Sequence, residues 1–182
     1  QRGKRDLARL LEALQQARAR AGDGQGQVVA LIGEPGVGKS RLVYECLHSH
    51  RTQGWLQLES SSVSYGKATA YLPVCDLLKA YCHLEDRDDL RTVRAKITGQ
   101  IVTLDDALQD AVPAVLALFE ALPADSPFLH LDPLQRRRRT LEALKRVLLR
   151  ESQVQPLLLV FEDLHWIDSE TQAMLDSLVE SL

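Results

Sequence analysis

The twelve residues LIGEPGVGKSRL, from Leu31 to Leu42, constrain the fold more than any other stretch of the chain. They overlap the end of the short β-branched run Gln27–Ile32, and a helical pattern begins after Lys39 and continues to about His48. A core strand that ends in a glycine loop and runs into a helix start presents a nest of backbone N–H groups, which binds phosphate. The stretch therefore predicts a strand, a phosphate-binding loop and a helix, in that order.

The eight residues from Gly33 to Ser40 fit the pattern GxxxxGK[ST] in full. In that pattern the backbone N–H groups wrap the phosphates, the lysine reaches the terminal phosphates and the hydroxyl ligates Mg²⁺. A glycine turn with a solvated lysine is the alternative, and the strand before it and the helix after it disfavour that alternative. The predicted nucleotide-binding residues are Gly33, Glu34, Pro35, Gly36, Val37, Gly38, Lys39, Ser40 and Arg41, with Ser40 also a metal ligand.

A second apolar run, LLLVFED, ends in the acids Glu162 and Asp163. Two acids at the end of a buried strand are costly unless they are paired or bound to a metal. The run resembles the Walker B element of ATP-hydrolysing P-loop proteins, in which the first acid holds the Mg²⁺ shell and the second polarises water. The resemblance assigns Glu162 to the metal and Asp163 to the water, and makes Lys39, Glu162 and Asp163 the catalytic residues. Related families more often have Asp at the first position, so a swap of the two roles stays open.

Composition limits the classes of ligand and partner that the chain is expected to bind. The chain contains no asparagine, so the NKxD element with which GTPases recognise guanine is absent, and ATP with Mg²⁺ is the predicted ligand. The formal net charge is -3, and acidic and basic residues are mixed along the chain. The sequence therefore shows no basic patch of the kind that binds nucleic acid. No apolar run approaches the roughly 20 residues that cross a bilayer, and the three cysteines have no metal-ligand spacing. We therefore expect a soluble cytoplasmic protein that binds neither nucleic acid nor membrane.

Strands that alternate with helices predict an α/β fold with a parallel sheet flanked by helices, in a single domain over residues 1–182. With the glycine loop and the Walker B resemblance, the expected fold is a P-loop NTPase sheet. A leading helix and loop occupy residues 1–26, and a mostly helical segment, 62–155, separates the second strand from the third. The predicted strands are Gln27–Ile32, Trp55–Ser60 and Pro156–Phe161. Tyr65, Gly66 and Lys67 are predicted to lie in a loop. The predicted helices after the glycine loop are Leu72–Leu84, Asp88–Ile101, Ala107–Leu122, one opening at Asp132 and Pro133, and a last one capped by Asp168 or Ser169.

Four quoted segments resemble one known family along most of the chain from Gln27. They are GEPGVGKSRL, SYGKATAYLPVCDLLKAY, LDPLQRRRRTLEALKRVLLRESQ and QPLLLVFEDLHWIDSETQAMLDSLVESL. They look like the AAA-type ATPase module of large bacterial signalling proteins, the signal-transduction ATPases with numerous domains. The family has a glycine-arginine-acid signature before its first helix, whereas Gly3, Lys4 and Arg5 stand out of step with that signature.

The resemblance implies partners and a sheet order. The family module is often fused behind a class III adenylate/guanylate cyclase domain and ahead of helical repeats, and it allows a homo-oligomer. In such ATPases a later strand lies between the glycine-loop strand and the acid-bearing strand. The chain stops at Leu182, one helix after the acids. We therefore expect a C-terminally truncated domain that lacks later strands and the lid, folds poorly alone and hydrolyses ATP slowly.

The sequence is compatible with three functions. The first is an ATP-hydrolysing regulatory switch of a multidomain signalling protein, which uses both acids. The second is a nucleotide-loaded scaffold for assembly that does not hydrolyse ATP, and the third is a small-molecule kinase, for which no acceptor pocket is evident. The arginine run Arg136–Arg139 is interpreted as a solvated helix face rather than as a finger on a neighbouring subunit's phosphate.

Overall fold

The computed structural model describes residues 2–48, 52–62 and 68–182, and it is a mixed α/β structure. The predicted loop residues Tyr65, Gly66 and Lys67 lie outside the described ranges. The helices are α1 (Arg2–Gly22), α2 (Lys39–Leu47), α3 (Leu72–Tyr81), α4 (Leu90–Leu104), α5 (Val112–Leu118), α6 (Pro133–Val154) and α7 (Ser169–Val179), and the strands are β1 (Leu56–Ser61) and β2 (Leu157–Glu162). Short 3-10 helices cover Asp106–Ala111, Pro127–His130 and Leu164–Trp166.

The two strands form a parallel pair, as the sequence predicts, and each lies one residue later than its predicted range. Leu56 pairs with Leu157 at one end, and Ser61 pairs with Glu162 at the other. A further backbone bond extends the ladder, because the Ser62 N–H donates to the Glu162 carbonyl at 3.2 Å. The carboxyl end of β2, where the acids lie, is therefore held against the carboxyl end of β1.

The strand predicted over Gln27–Ile32 is wrong for this structure. Residues 25–34 form no regular secondary structure, and the backbone from Val28 to Ile32 makes no hydrogen bond to any described residue. The side chain of Ile32 is 95% exposed. A strand is defined by its ladder, and among the described residues the second edge of β2 carries no strand that would bridge it to this segment. The β-branched run is present, but its pairing partner is not.

The described chain between β1 and β2 consists mainly of helices, whose boundaries differ from those predicted. The helix predicted over Ala107–Leu122 is divided, because Pro113 cannot donate a backbone bond and lies in the first turn of α5. The helix predicted to reach Leu84 stops at Tyr81, and His83 follows with φ 53°. Asp caps define the starts as the sequence predicts: Asp132 accepts from the Gln135 N–H at the start of α6.

The core lies mainly among α3 to α6, with contributions from β1 and α7. Apolar residues that recur on one face of each helix meet there and are removed from water. Fully buried large side chains include Ile97, Ile101, Val115, Leu144, Val147 and Met174. Glu151 is also buried, and its carboxylate accepts hydrogen bonds from Tyr81 Oη and Gln155 Nε2. The helical segment therefore pairs its buried polar groups as well as its apolar ones.

Candidate nucleotide site

The glycine loop uses backbone conformations that favour glycine. Gly36 has φ 81° and Gly38 has φ 96°, both in the left-handed region. Gly38 is the N-cap of α2, so the chain turns from the loop directly into the helix at Lys39. A Cβ on Gly33 would lie 3.1 Å from the Val37 side chain, which is tighter than ordinary contact. The loop thus wraps closely on itself just before the helix.

The start of α2 can receive an anion. The first turn holds no acidic residue, and the N-cap Gly38 supplies no side-chain cap. The first N–H groups of a helix have no partner within it, and the helix dipole places partial positive charge at that end. Glu34, Pro35 and Val37 are exposed along the loop, so the loop is open to solvent. These features together leave the start of α2 accessible to an anion.

Lys39 folds back across the loop that precedes it. Its Nζ donates to the carbonyl of Gly33 at 2.8 Å and to the carbonyl of Glu34 at 3.0 Å. Both acceptors are neutral, and Lys39 has no ion-pair partner among the described residues. The lysine side chain is thereby held on the loop, with a positive charge that an anion can neutralise.

Ser40 and Glu162 meet although 122 residues separate them in the sequence. Ser40 lies in the first turn of α2, and Glu162 is the last residue of β2. The Ser40 hydroxyl donates to Glu162 Oε2 at 3.0 Å. Both predicted metal ligands are therefore at one place, and both supply oxygen, the donor that Mg²⁺ prefers. Within the described residues no group of three or more His, Cys, Asp or Glu side chains could hold a metal.

Asp163 differs from its neighbour. It is exposed, it adopts φ 55° and ψ 44°, and its carboxylate makes no hydrogen bond to the described residues. Aspartate tolerates the left-handed region better than most residues. The structure thus brings Ser40 and Glu162 together and leaves the Asp163 carboxylate free in solvent at the adjacent position.

Arg41, also predicted to bind nucleotide, is directed along α2. Its Nε donates to Glu45 Oε1 at 2.9 Å, one turn further along the helix. An exposed i,i+4 pair of this kind contributes little to stability. The structure therefore places Arg41 beside the loop but engages its guanidinium with the helix.

A network that the sequence did not reveal lies just after the acids. Arg137, from the arginine run, donates through Nε to both oxygens of Glu170, at 3.0 and 2.7 Å. Tyr71 Oη donates to Glu170 Oε2 at 3.1 Å. Burial, reinforced by the Glu170 carboxylate, raises the pKa of the Tyr71 phenol, so the phenol keeps the proton that it donates. All four residues of the arginine run, Arg136–Arg139, are exposed, as predicted for a solvated helix face, and Arg137 pairs with Glu170 at that surface.

A cleft of about 230 Å³ between α1 and α2 lies away from this loop. Its walls include Leu11, Leu14 and Arg18 of α1, and Glu45 and Cys46 of the last turn of α2. Ser40 lies at the opposite end of α2. The chemistry of the glycine loop therefore belongs to an open surface rather than to this cleft.

Comparison with known proteins gives a family. The AAA ATPase domain matches residues 5–182, while comparison with curated proteins and with solved structures gave no match. None of the described helices is both long enough and apolar enough to span a membrane. The matched range contains the glycine loop, the strand-end acids and the helical segment between them. The chain belongs to the family of AAA ATPase domains.

Proposed function

We propose that the chain binds and hydrolyses Mg-ATP and acts as a regulatory switch module of a multidomain signalling protein. Family membership supports nucleotide binding and ATPase activity. The observation that carries the finer proposal is the 3.0 Å contact between Ser40 Oγ and Glu162 Oε2. It joins the start of the phosphate-binding helix to the acid at the end of β2, and these are the two parts that a triphosphate site needs.

Each residue then has a role that its position supports. The loop amides and the start of α2 receive the phosphates, and Lys39 exchanges its two carbonyl acceptors for phosphate oxygens. Ser40 and Glu162 would hold Mg²⁺, which would supply neutralisation of the phosphate charge. Asp163, exposed beside Glu162, orients and polarises the attacking water. In phosphoryl transfer the protein mainly positions groups and stabilises charge, so these roles suffice for turnover.

The nucleotide-loaded scaffold remains the second candidate. The observation that favours it is that the exposed Asp163 carboxylate makes no hydrogen bond to a described residue, so no neighbouring side chain holds it toward a water. The presence of Asp163 argues against this candidate, since a pure scaffold would need the loop, Ser40 and Glu162 but not a second acid. Purified full-length protein that holds stoichiometric ATP unchanged for hours with Mg²⁺ would establish this candidate.

The test separates binding from turnover. In the full-length protein we expect Lys39→Ala to abolish both ATP binding and phosphate release. Asp163→Asn should keep ATP affinity and lose phosphate release, by about 100-fold if it removes a water-positioning group. Arg138→Ala, which alters an exposed cation outside the loop, is the matched control and should change neither. Equal loss of affinity and turnover in Asp163→Asn would contradict the assigned role, and Glu162→Asn would then be tested for the swapped assignment.

A further inference from the structure

Asp168 is the most heavily hydrogen-bonded carboxylate among the described residues near the acids. It is 4% exposed. Its Oδ1 accepts from the N–H groups of Glu170 at 3.0 Å and Thr171 at 2.9 Å, and its Oδ2 accepts from Thr171 Oγ1 at 2.6 Å. These three bonds cap the start of α7, as the sequence predicts for this residue.

A fourth bond has no part in capping. Asp168 Oδ1 also accepts from the backbone N–H of Tyr71 at 3.0 Å, across 97 residues of sequence. Tyr71 immediately precedes α3 and has φ 60°, an uncommon conformation for a tyrosine. Its phenol bonds to Glu170, which Arg137 of α6 also binds. We name this arrangement, Tyr71, Arg137, Asp168 and Glu170, the clasp.

The clasp lies next to the segment that carries Glu162 and Asp163 and can hold that segment in place. Asp168 is five residues after Asp163, and the 3-10 helix Leu164–Trp166 fills most of the interval. The other end of that interval is held by the bond from the Ser62 N–H to the Glu162 carbonyl. The chain after β1 is therefore attached to the acid-bearing segment at two points, Ser62 before Asp163 and Tyr71 after it.

We propose that Asp168 is a positioning residue for ATP hydrolysis, which holds the turn carrying Asp163 through its bond to the Tyr71 N–H, in addition to capping α7. This rests on the proposed ATPase function. A buried carboxylate with four donors is a rigid attachment, whereas the Asp163 carboxylate makes no hydrogen bond to the described residues. Displacement of a catalytic group by about 1 Å can cost 100-fold in rate, so the attachment acts on turnover rather than on nucleotide affinity.

The variant Asp168→Ser separates the clasp from the cap. Serine caps helices about as well as aspartate, but its single, shorter-reaching oxygen cannot serve both Thr171 and Tyr71. Asp132→Ser is the matched control, because Asp132 caps α6 and its side chain bonds only to Gln135 among the described residues. In the full-length protein, kcat and KM for ATP are measured with Mg²⁺, together with hydrogen exchange at the Tyr71 amide.

We expect Asp168→Ser to accelerate exchange at the Tyr71 amide and to lower kcat by about tenfold or more, with KM within about twofold of wild type. Asp132→Ser should change neither quantity. Unchanged kcat in Asp168→Ser, with faster exchange at Tyr71, would overturn the positioning role while leaving the ATPase proposal intact. Equal loss of activity in the two variants would also overturn it, because cap loss alone would then explain the effect.

A second variant keeps the proposal testable if Asp168→Ser does not fold. Tyr71→Phe retains the backbone bond to Asp168 and removes the bond to Glu170, so it loosens the clasp and should lower kcat by about threefold at unchanged KM. Wild-type kcat in Tyr71→Phe would then count against the clasp. Absence of ATP hydrolysis in wild-type protein would instead remove the proposed function, and this inference with it.

Discussion

The helical segment Leu72–Val154 and the glycine-loop segment 25–41 differ in the burial of their apolar side chains and in the hydrogen bonding of their backbone. In the helical segment, backbone bonds are made within helices, and isoleucine side chains such as Ile97 are fully buried. In the loop segment, Val28–Ile32 makes no backbone bond to described residues and its apolar side chains meet solvent. The buried core and the proposed chemistry therefore lie in different parts of the chain.

The largest expected difference is between two isoleucines, one buried in the helical segment and one exposed in the glycine-loop segment. Ile97→Ala should lower the free energy of unfolding by about 2 to 5 kcal/mol, because Ile97 is 0% exposed and its loss leaves a cavity. Ile32→Ala should change it by less than about 0.5 kcal/mol, because Ile32 is 95% exposed. Urea unfolding of both variants measures the difference. Comparable losses would mean that the loop segment is buried in solution, and the contrast between the regions would be broken.

Tyr81 and Tyr44 provide a second pair. Tyr81 is buried and its hydroxyl donates to the buried Glu151 carboxylate, whereas Tyr44 on α2 is 60% exposed. Tyr81→Phe should cost about 1 to 3 kcal/mol, because it deprives a buried carboxylate of a donor, and Tyr44→Phe should be close to neutral. Thermal unfolding of the two variants under one buffer condition checks the order, and a neutral Tyr81→Phe would show that water replaces the lost donor.

Substitution of one glycine in each region should change a different property, ATP affinity in the loop and stability in the helical segment. Gly38→Ala places a Cβ at φ 96°, and strain of about 1 to 2 kcal/mol in the loop should lower ATP affinity by about 5- to 30-fold. Gly99→Ala, in the exposed interior of α4 with open space around the added Cβ, should raise stability by about 0.5 to 1 kcal/mol and leave affinity unchanged. Titration of ATP onto each variant, with unfolding measured in parallel, gives both quantities. Unaltered affinity in Gly38→Ala would argue against the loop as the phosphate site.

The smallest expected effect is a dependence on acid that resides in the helical segment. The backbone N–H of Ala107 and the Arg150 guanidinium lower the pKa of Asp105, which caps the 3-10 helix before α5. A carboxyl whose folded pKa lies below its unfolded value, about 3.9, stabilises the fold above that value. This stabilisation is lost as pH falls through the lower folded pKa. Unfolding midpoints measured from pH 6 to pH 3 should therefore fall less in Asp105→Asn than in wild type, and identical slopes would remove Asp105 from the acid response.

Sequence reasoning was most successful where a local pattern decides the structure. The Asp132 and Asp168 caps, and to within one residue the two observed strands and the start of α2, follow from neighbouring residues. The strand predicted over Gln27–Ile32 was not found, because pairing depends on a partner strand and not on β-branched composition alone. The course of Arg137 toward Glu170 depends on how α6 meets α7, and no local pattern encodes that approach.

The site residues likewise divide into those that a local sequence pattern identifies and those that only the three-dimensional structure brings together. The GxxxxGK[ST] pattern locates the loop, and the acids after β2 are evident from a run of five apolar residues. The contact between Ser40 and Glu162 needed the three-dimensional structure, since it depends on the sheet bringing β2 to the start of α2. The bond from the Tyr71 N–H to Asp168 was out of reach of sequence reasoning, because a backbone donor carries no residue-specific signal.

The separation of 122 residues between Ser40 and Glu162 also has a consequence during synthesis. A ribosome that adds about 5 to 20 residues per second needs about 6 to 24 s to pass from one residue to the other. Throughout that interval the nascent glycine loop exists without its acid, while α3 to α6 can form from local contacts as they emerge. Closing so long a loop is slow and entropically unfavourable. The nascent chain therefore assembles its helical core first and completes its nucleotide site last.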